Sequence, residues 1–144
     1  MAKHRIGLTL AAILAAGPAA AADKITCPAE IKAVAAALAA PVEGWTARND
    51  PVPTQLSGVT FYEGAPADGG SLAPDDEKRT KSKITSTWKL GALGPGPYWL
   101  GCRYAATTLT LERRLPAGIK ECTVAYNATV SVDGLPEVEE ISCK

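Results

Sequence analysis

The sequence predicts an all-β protein: a small antiparallel β-barrel or sandwich of about 7–8 strands, stapled by disulfides, behind an N-terminal signal peptide. Three observations predict it. Short runs alternate apolar and polar residues with the period of half-buried strands, most clearly Tyr98, Leu100, Cys102 and Tyr104 against Trp99, Gly101 and Arg103. Glycine and proline punctuate the chain between these runs. All 4 cysteines, Cys27, Cys102, Cys122 and Cys143, lie beyond the expected leader, and an even count in an exported chain reads as two disulfides.

Residues 1–22 read as the signal peptide. Met1 to Arg5 is basic, Ile6 to Gly17 is apolar, and Ala20 and Ala22 frame a small-residue cleavage site before Asp23. The apolar run is too short to span a bilayer as a helix. Cys27 lies several residues past the cut, so the pattern is not that of a lipoprotein. The expected location is the periplasm, with residues 23–144 as a single β domain. No later stretch is apolar enough for a membrane helix, and the mature chain is not expected to insert in a membrane.

Ile31 to Ala40 is alanine-rich and helical by propensity, yet Ala33, Ala35 and Ala37 share a parity with Ile31, so an edge strand fits as well. Both readings stay open, with the strand preferred in an all-β chain. Trp45 to Asp50 is a short strand candidate, broken by Pro51-Val-Pro53. Leu56 to Glu63 is a strand with Val59 and Phe61 on one face. Gly64 to Ser82 reads as the longest irregular region, rich in Gly, Pro and charge. In Lys83 to Leu90, Ile84, Ser86, Trp88 and Leu90 share one parity.

Tyr98 to Arg113 is the central stretch. The break at Ala105-Ala106 is too short for a crossover, so its two runs form an antiparallel hairpin. Leu109 and Leu111 are expected on the apolar face, and Trp99, Arg103, Thr108, Thr110 and Glu112 on the other. Glu121 to Asn127 and Val138 to Cys143 complete the strands. Ser131 to Gly134 is expected to close a four-residue hairpin loop. If Val130 then pairs with Leu135, Cys122 falls opposite Cys143, within disulfide reach. Cys102 and Cys122 would flank an intervening strand, a separation of roughly 9.5 Å that exceeds that reach. The preferred pairing is Cys122–Cys143 with Cys27–Cys102.

The chemistry classes are thinned by what is missing. The single histidine, His4, leaves with the leader, so no Ser-His or Cys-His pair remains. There is no phosphate-binding glycine motif and no cysteine–histidine spacing for a metal, so no cofactor, metal or catalytic residue is expected. Asp75, Asp76 and Glu77 offer carboxylates for glycoside hydrolysis only in a polar setting that does not raise a pKa. The chain balances 15 Lys and Arg against 15 Asp and Glu, and loses Lys3 and Arg5 with the leader. It lacks the basic footprint of a nucleic-acid binder. What remains is surface recognition: Trp99 and Arg103 on one strand face, and the cations of the Lys81-Ser82-Lys83 segment.

Cys27-Pro28, Pro41-Val-Glu-Gly-Trp45, Gly58-Val-Thr-Phe-Tyr62, Thr87-Trp88, and Trp99-Leu-Gly-Cys-Arg-Tyr104 with Leu115-Pro-Ala-Gly118 and Cys122 together resemble a family of small proteobacterial periplasmic proteins with two disulfides. That family is similar to bacterial chicken-type lysozyme inhibitors. The resemblance implies a non-enzymatic periplasmic binding protein with a protein partner, a lysozyme, whose active-site cleft a loop occludes. It points to Arg103, Thr107 and Thr108 at the central hairpin, or Lys81, Ser82 and Lys83, as the occluding groups, with Trp99 beside them. The alternative is a non-catalytic cell-envelope interaction module. Oligomeric state is not legible.

Overall fold

The computed structural model describes residues 25–33, 40–44, 46 and 51–144. Among these residues there are nine strands and two single-turn 3-10 segments, and no α-helix. The strands are β1 (Glu30–Ala33), β2 (Val52–Glu63), β3 (Ser71–Leu72), β4 (Asp76–Arg79), β5 (Lys83–Trp88), β6 (Tyr98–Tyr104), β7 (Thr110–Arg114), β8 (Cys122–Val132) and β9 (Leu135–Cys143). Two antiparallel sheets form, as the all-β expectation required. One runs β1-β2-β6-β7, with β3 also on β2; the other runs β4-β5-β8-β9. Residues 1–24, which include the expected leader, residues 34–39, and all of the Trp45–Asp50 candidate except Thr46 lie outside the described residues.

The core lies where the alternating faces of both sheets meet. Val59, Phe61, Tyr98, Leu100 and Tyr104 from one sheet pack with Trp88, Cys122, Val124 and Ile141 from the other. Phe61 and Trp88 are in ring contact, with centroids 4.8 Å apart and planes tilted by 51°. The Trp88 indole N–H donates to the Leu72 carbonyl at 3.1 Å, so β3 is pinned over β5. The parity read at Ile84, Ser86, Trp88 and Leu90 holds, since all four are buried.

Both expected disulfides are present: Cys27–Cys102 and Cys122–Cys143. The loop that led to the second differs from expectation. Asp133 and Gly134 make a two-residue turn, with Val132 paired to Leu135 and both turn residues at positive φ (53° and 79°). Asp-Gly is the preferred pair for such a turn because Gly carries no Cβ penalty there. Two irregularities then restore the cysteine pairing. Between Asn127 and Ser131, β8 carries extra residues, and β9 carries one opposite Ala125 and Tyr126. The Asn127 carboxamide oxygen accepts from the Thr129 N–H at 3.0 Å and its hydroxyl at 2.7 Å, folding the first bulge.

The central hairpin pairs β6 with β7 in the antiparallel sense expected, from Trp99 opposite Arg114 to Arg103 opposite Thr110. Its turn is longer than the expected break. The Thr107 hydroxyl accepts from the Leu109 N–H at 3.1 Å, so the ladder resumes only at Thr110. Leu109 and Leu111 are corrected to exposed positions, at 46% and 36%. β7 ends its sheet, and neither leucine joins the shared core.

Two further expectations change. β2 begins at Val52, ahead of the expected start at Leu56, and so takes in Pro53. There β2 pairs only with β1, and a strand with one neighbour tolerates proline. The expected irregular stretch at Gly64–Ser82 contains β3 and β4. Asp76 to Arg79 is a wholly exposed edge strand on β5, whose ladder supplies the backbone partners that an acidic and basic run does not advertise. Within the open stretch Ile31–Ala40, Ile31 to Ala33 belong to β1, paired with β2. The Leu56 N–H donates to the Ala29 carbonyl at 2.8 Å, and the Tyr104 hydroxyl donates to the Pro28 carbonyl at 3.0 Å. These bonds seat the N-terminal segment beside its disulfide.

Candidate functional site

Arg103 stands on the outward parity of β6, between buried Cys102 and Tyr104. β2 carries an irregularity here: Leu56 pairs with Tyr104 and Gly58 with Arg103, leaving Ser57 as an extra residue. The guanidinium lies across Gly58, where a Cβ atom would come within 2.9 Å of the Arg103 Nη2. Glycine is thus the residue that lets the arginine lie flat toward the open side of β2.

On that side the sheets part and leave a cleft of about 470 Å³. Val59, Ile84 and Trp88 form its apolar floor, and Pro74, Leu135 and Pro136 part of its rim. Arg103 enters from one sheet, Glu77, Arg79, Ser86 and Tyr126 from the other. Glu77 pairs with Ser86 across the β4–β5 ladder, and Arg79 with Ile84, so all four share one face. One Glu77 oxygen accepts from Arg79 Nη2 at 3.2 Å, and the other accepts from the Ser86 hydroxyl at 3.3 Å. Among the described residues Arg103 has no such carboxylate partner.

Tyr126 has its phenol pushed up to about 12, first by burial, next by the negative charge of Glu77, with Arg103 pulling the other way. Its hydroxyl is therefore protonated and able to donate at any physiological pH. The unfolded chain loses this proton near pH 10, the folded chain only near 12, so folding stability should be constant below pH 10 and fall from there to 12. Burial also raises the phenols of Tyr98 and Tyr104, in the same direction. Denaturant melts at pH 9 and pH 11 check this: the pH 11 midpoint is expected to be lower, with phenolate absorbance lagging that of the unfolded chain.

Of the sequence-predicted groups, the cleft takes only Arg103. Trp99 is half-buried on the same outward face, but the Tyr62 ring lies over Gly101 between them: a Cβ at Gly101 would meet it at 2.9 Å. Thr107 and Thr108 sit in the β6–β7 turn, with the Thr107 hydroxyl engaged by Leu109. Lys81, Ser82 and Lys83 are exposed around the β4–β5 turn, which is closed by the Thr80 N–H donating to the Lys83 carbonyl at 2.8 Å. None of these six lines the cleft. Sequence reasoning missed Arg79, Ser86 and Tyr126 as site groups and took Glu77 for solvated loop charge. The available signal was the shared parity of Glu77 and Arg79 with Ser86 and Ile84 once a hairpin is drawn through Thr80–Ser82.

Over an apolar floor, the arrangement supplies hydrogen-bond donors: a guanidinium without a carboxylate partner among the described residues and a protonated phenol. Glu77 already serves an arginine and a serine. Among the described residues no cluster of three His, Cys, Asp or Glu side chains is placed to hold a metal, and no helix is long and apolar enough to cross a membrane.

The chain matches the family model described as "Type VI secretion system Tli immunity protein" over residues 49–144, well over half its length. A curated relative from Azospirillum brasilense, an uncharacterized 16.3 kDa protein in the trpG 5′ region, is 34% identical over 135 residues, covering 86% of this chain and 85% of the relative. No solved structure matches significantly. The two-disulfide β domain expected from the resemblance stands, while the matching family carries an immunity-protein description and not that of a lysozyme inhibitor. The chain belongs to the type VI secretion system Tli immunity protein family.

Proposed function

We propose that this chain is an exported immunity protein that binds an effector of a type VI secretion system and blocks it without chemistry of its own. The observation that carries this reading is the family match over residues 49–144, which spans β2 through β9 and therefore every residue of the cleft. Two disulfides with no free cysteine support an oxidising compartment, the periplasm, after removal of residues 1–22. The donor-rich cleft supports binding over catalysis.

The narrower form of the proposal makes the effector a lysozyme-like enzyme, whose paired carboxyl groups a cation and a hydroxyl would engage. Arg103 favours a modified geometry: it lies in a concavity on a strand, so the partner supplies the protruding element.

The test is periplasmic expression of each type VI effector of the host in a sensitive strain, with and without the chain. Growth is expected to be restored against one effector. Growth arrest by every effector despite the chain would overturn the reading. A turbidity assay with purified lysozymes tests the narrower form: protection at micromolar excess supports it, and uninhibited lysis by all of them rejects it.

A further inference from the structure

The cleft also says what kind of surface it accepts, an inference that rests on the immunity reading. We propose that it receives a short, extended, acidic segment of the effector. An Asp or Glu carboxylate of that segment sits on the Arg103 guanidinium, and its backbone pairs with the free edge of β2 at Val59.

Charge is the first argument. Glu77 is engaged by Arg79 and Ser86, so the charge left to be met in the cleft is that of Arg103. A guanidinium fork matches a carboxylate with two parallel hydrogen bonds, and an arginine held flat over Gly58 is oriented before the partner arrives. The Tyr126 hydroxyl adds a donor and no negative charge.

Backbone is the second. β1 covers Val52 to Gln55 of β2, and β3 covers Phe61 and Tyr62 on that same edge. Between them no strand is paired among the described residues. The Glu63 N–H donates to Gly70 on this edge at 2.9 Å, and strand alternation turns Val59 the same way. Val59 thus presents a backbone donor and acceptor at the cleft floor. The gap is too short to admit a long foreign strand, which limits edge-to-edge aggregation. It suits a few residues of a partner loop added in the strand-addition mode.

Shape is the third. A concavity of about 470 Å³ with an apolar floor of Val59, Ile84 and Trp88 falls within the range of roughly 300–1,000 Å³ typical of binding pockets.

The test uses the effector identified by the growth assay, as a purified inactive variant, with calorimetric affinities for the oxidised chain and three variants. Arg103→Ala is expected to weaken binding about thirtyfold or more. Arg103→Lys keeps the charge without the fork and should fall between. Gly58→Ala retains the arginine but displaces its guanidinium, and should also weaken binding. Arg103→Glu should be rescued by reversing one Asp or Glu of the effector to Arg. Near-ultraviolet circular dichroism confirms that each variant is folded. Tight binding by the unaltered chain with Arg103→Ala and Gly58→Ala within twofold of it overturns the inference and leaves the immunity reading standing. If the unaltered chain binds no effector, the immunity reading fails and the inference with it.

Discussion

Replacing Cys27 and Cys102 together by alanine is expected to destabilise the protein by about 4.5 kcal/mol, more than any other crosslink change. The bridge joins residues 75 apart in sequence, whereas Cys122–Cys143 joins residues 21 apart. Closing a longer loop removes more entropy from the unfolded chain, which puts the loss of Cys122–Cys143 at about 3.3 kcal/mol on the same scale. The first bridge also fixes Cys27 in the core beside Ile25, while Leu56 and Tyr104 hold the backbone at Ala29 and Pro28. Urea midpoints of the two double variants check the order. Equal midpoints, or a lower one for the Cys122 and Cys143 variant, would contradict it.

Phe61→Ala is expected to cost about 3–5 kcal/mol. Phe61 is fully buried at the contact between the two sheets, against Trp88. Its removal deletes transfer free energy and leaves a cavity that neither strand can close, because β2 is fixed by β6 on one side and β3 on the other. Against a total stability of roughly 5–15 kcal/mol, that loss is a large fraction of what holds the protein folded. Chemical denaturation reads it directly, and a cost below about 1 kcal/mol would mean that the sheets do not pack through this ring.

The strands that were legible are those whose neighbours on both sides impose the period of two. Tyr98 to Tyr104, Ile84 to Trp88 and Cys122 to Val124 bury every second residue and so display the pattern. β4 was not legible, because an edge strand has no buried face of its own and reads as a charged loop. Leu109 and Leu111 misled for the complementary reason: they alternate, but among the described residues no strand pairs beyond β7 and both leucines are exposed. The Cys122–Cys143 pairing followed from an incorrect loop because a shorter turn and two bulges of opposite effect cancel.

The site was half legible. Arg103 announces itself as a cation on a strand, and the even set of four cysteines announces two disulfides. Glu77, Arg79, Ser86 and Tyr126 become neighbours of Arg103 only when the sheets pack, and no local pattern encodes that meeting. The resemblance to lysozyme inhibitors pointed to the broader class, a protein that binds and inhibits. It also implied an occluding loop; of the groups it pointed to, Arg103 lies in the cleft, while Thr107, Thr108, Lys81, Ser82 and Lys83 stand at turns.

The central claim is that the chain acts by occupancy. The measurement that tests it most directly is a titration of a fixed amount of the identified effector with the oxidised chain, following residual effector activity. Inhibition is expected to reach completion near one chain per effector and to reverse on dilution, with both proteins intact by mass. Full protection at a small fraction of that ratio, or a covalent change in the effector, would show turnover and contradict the account.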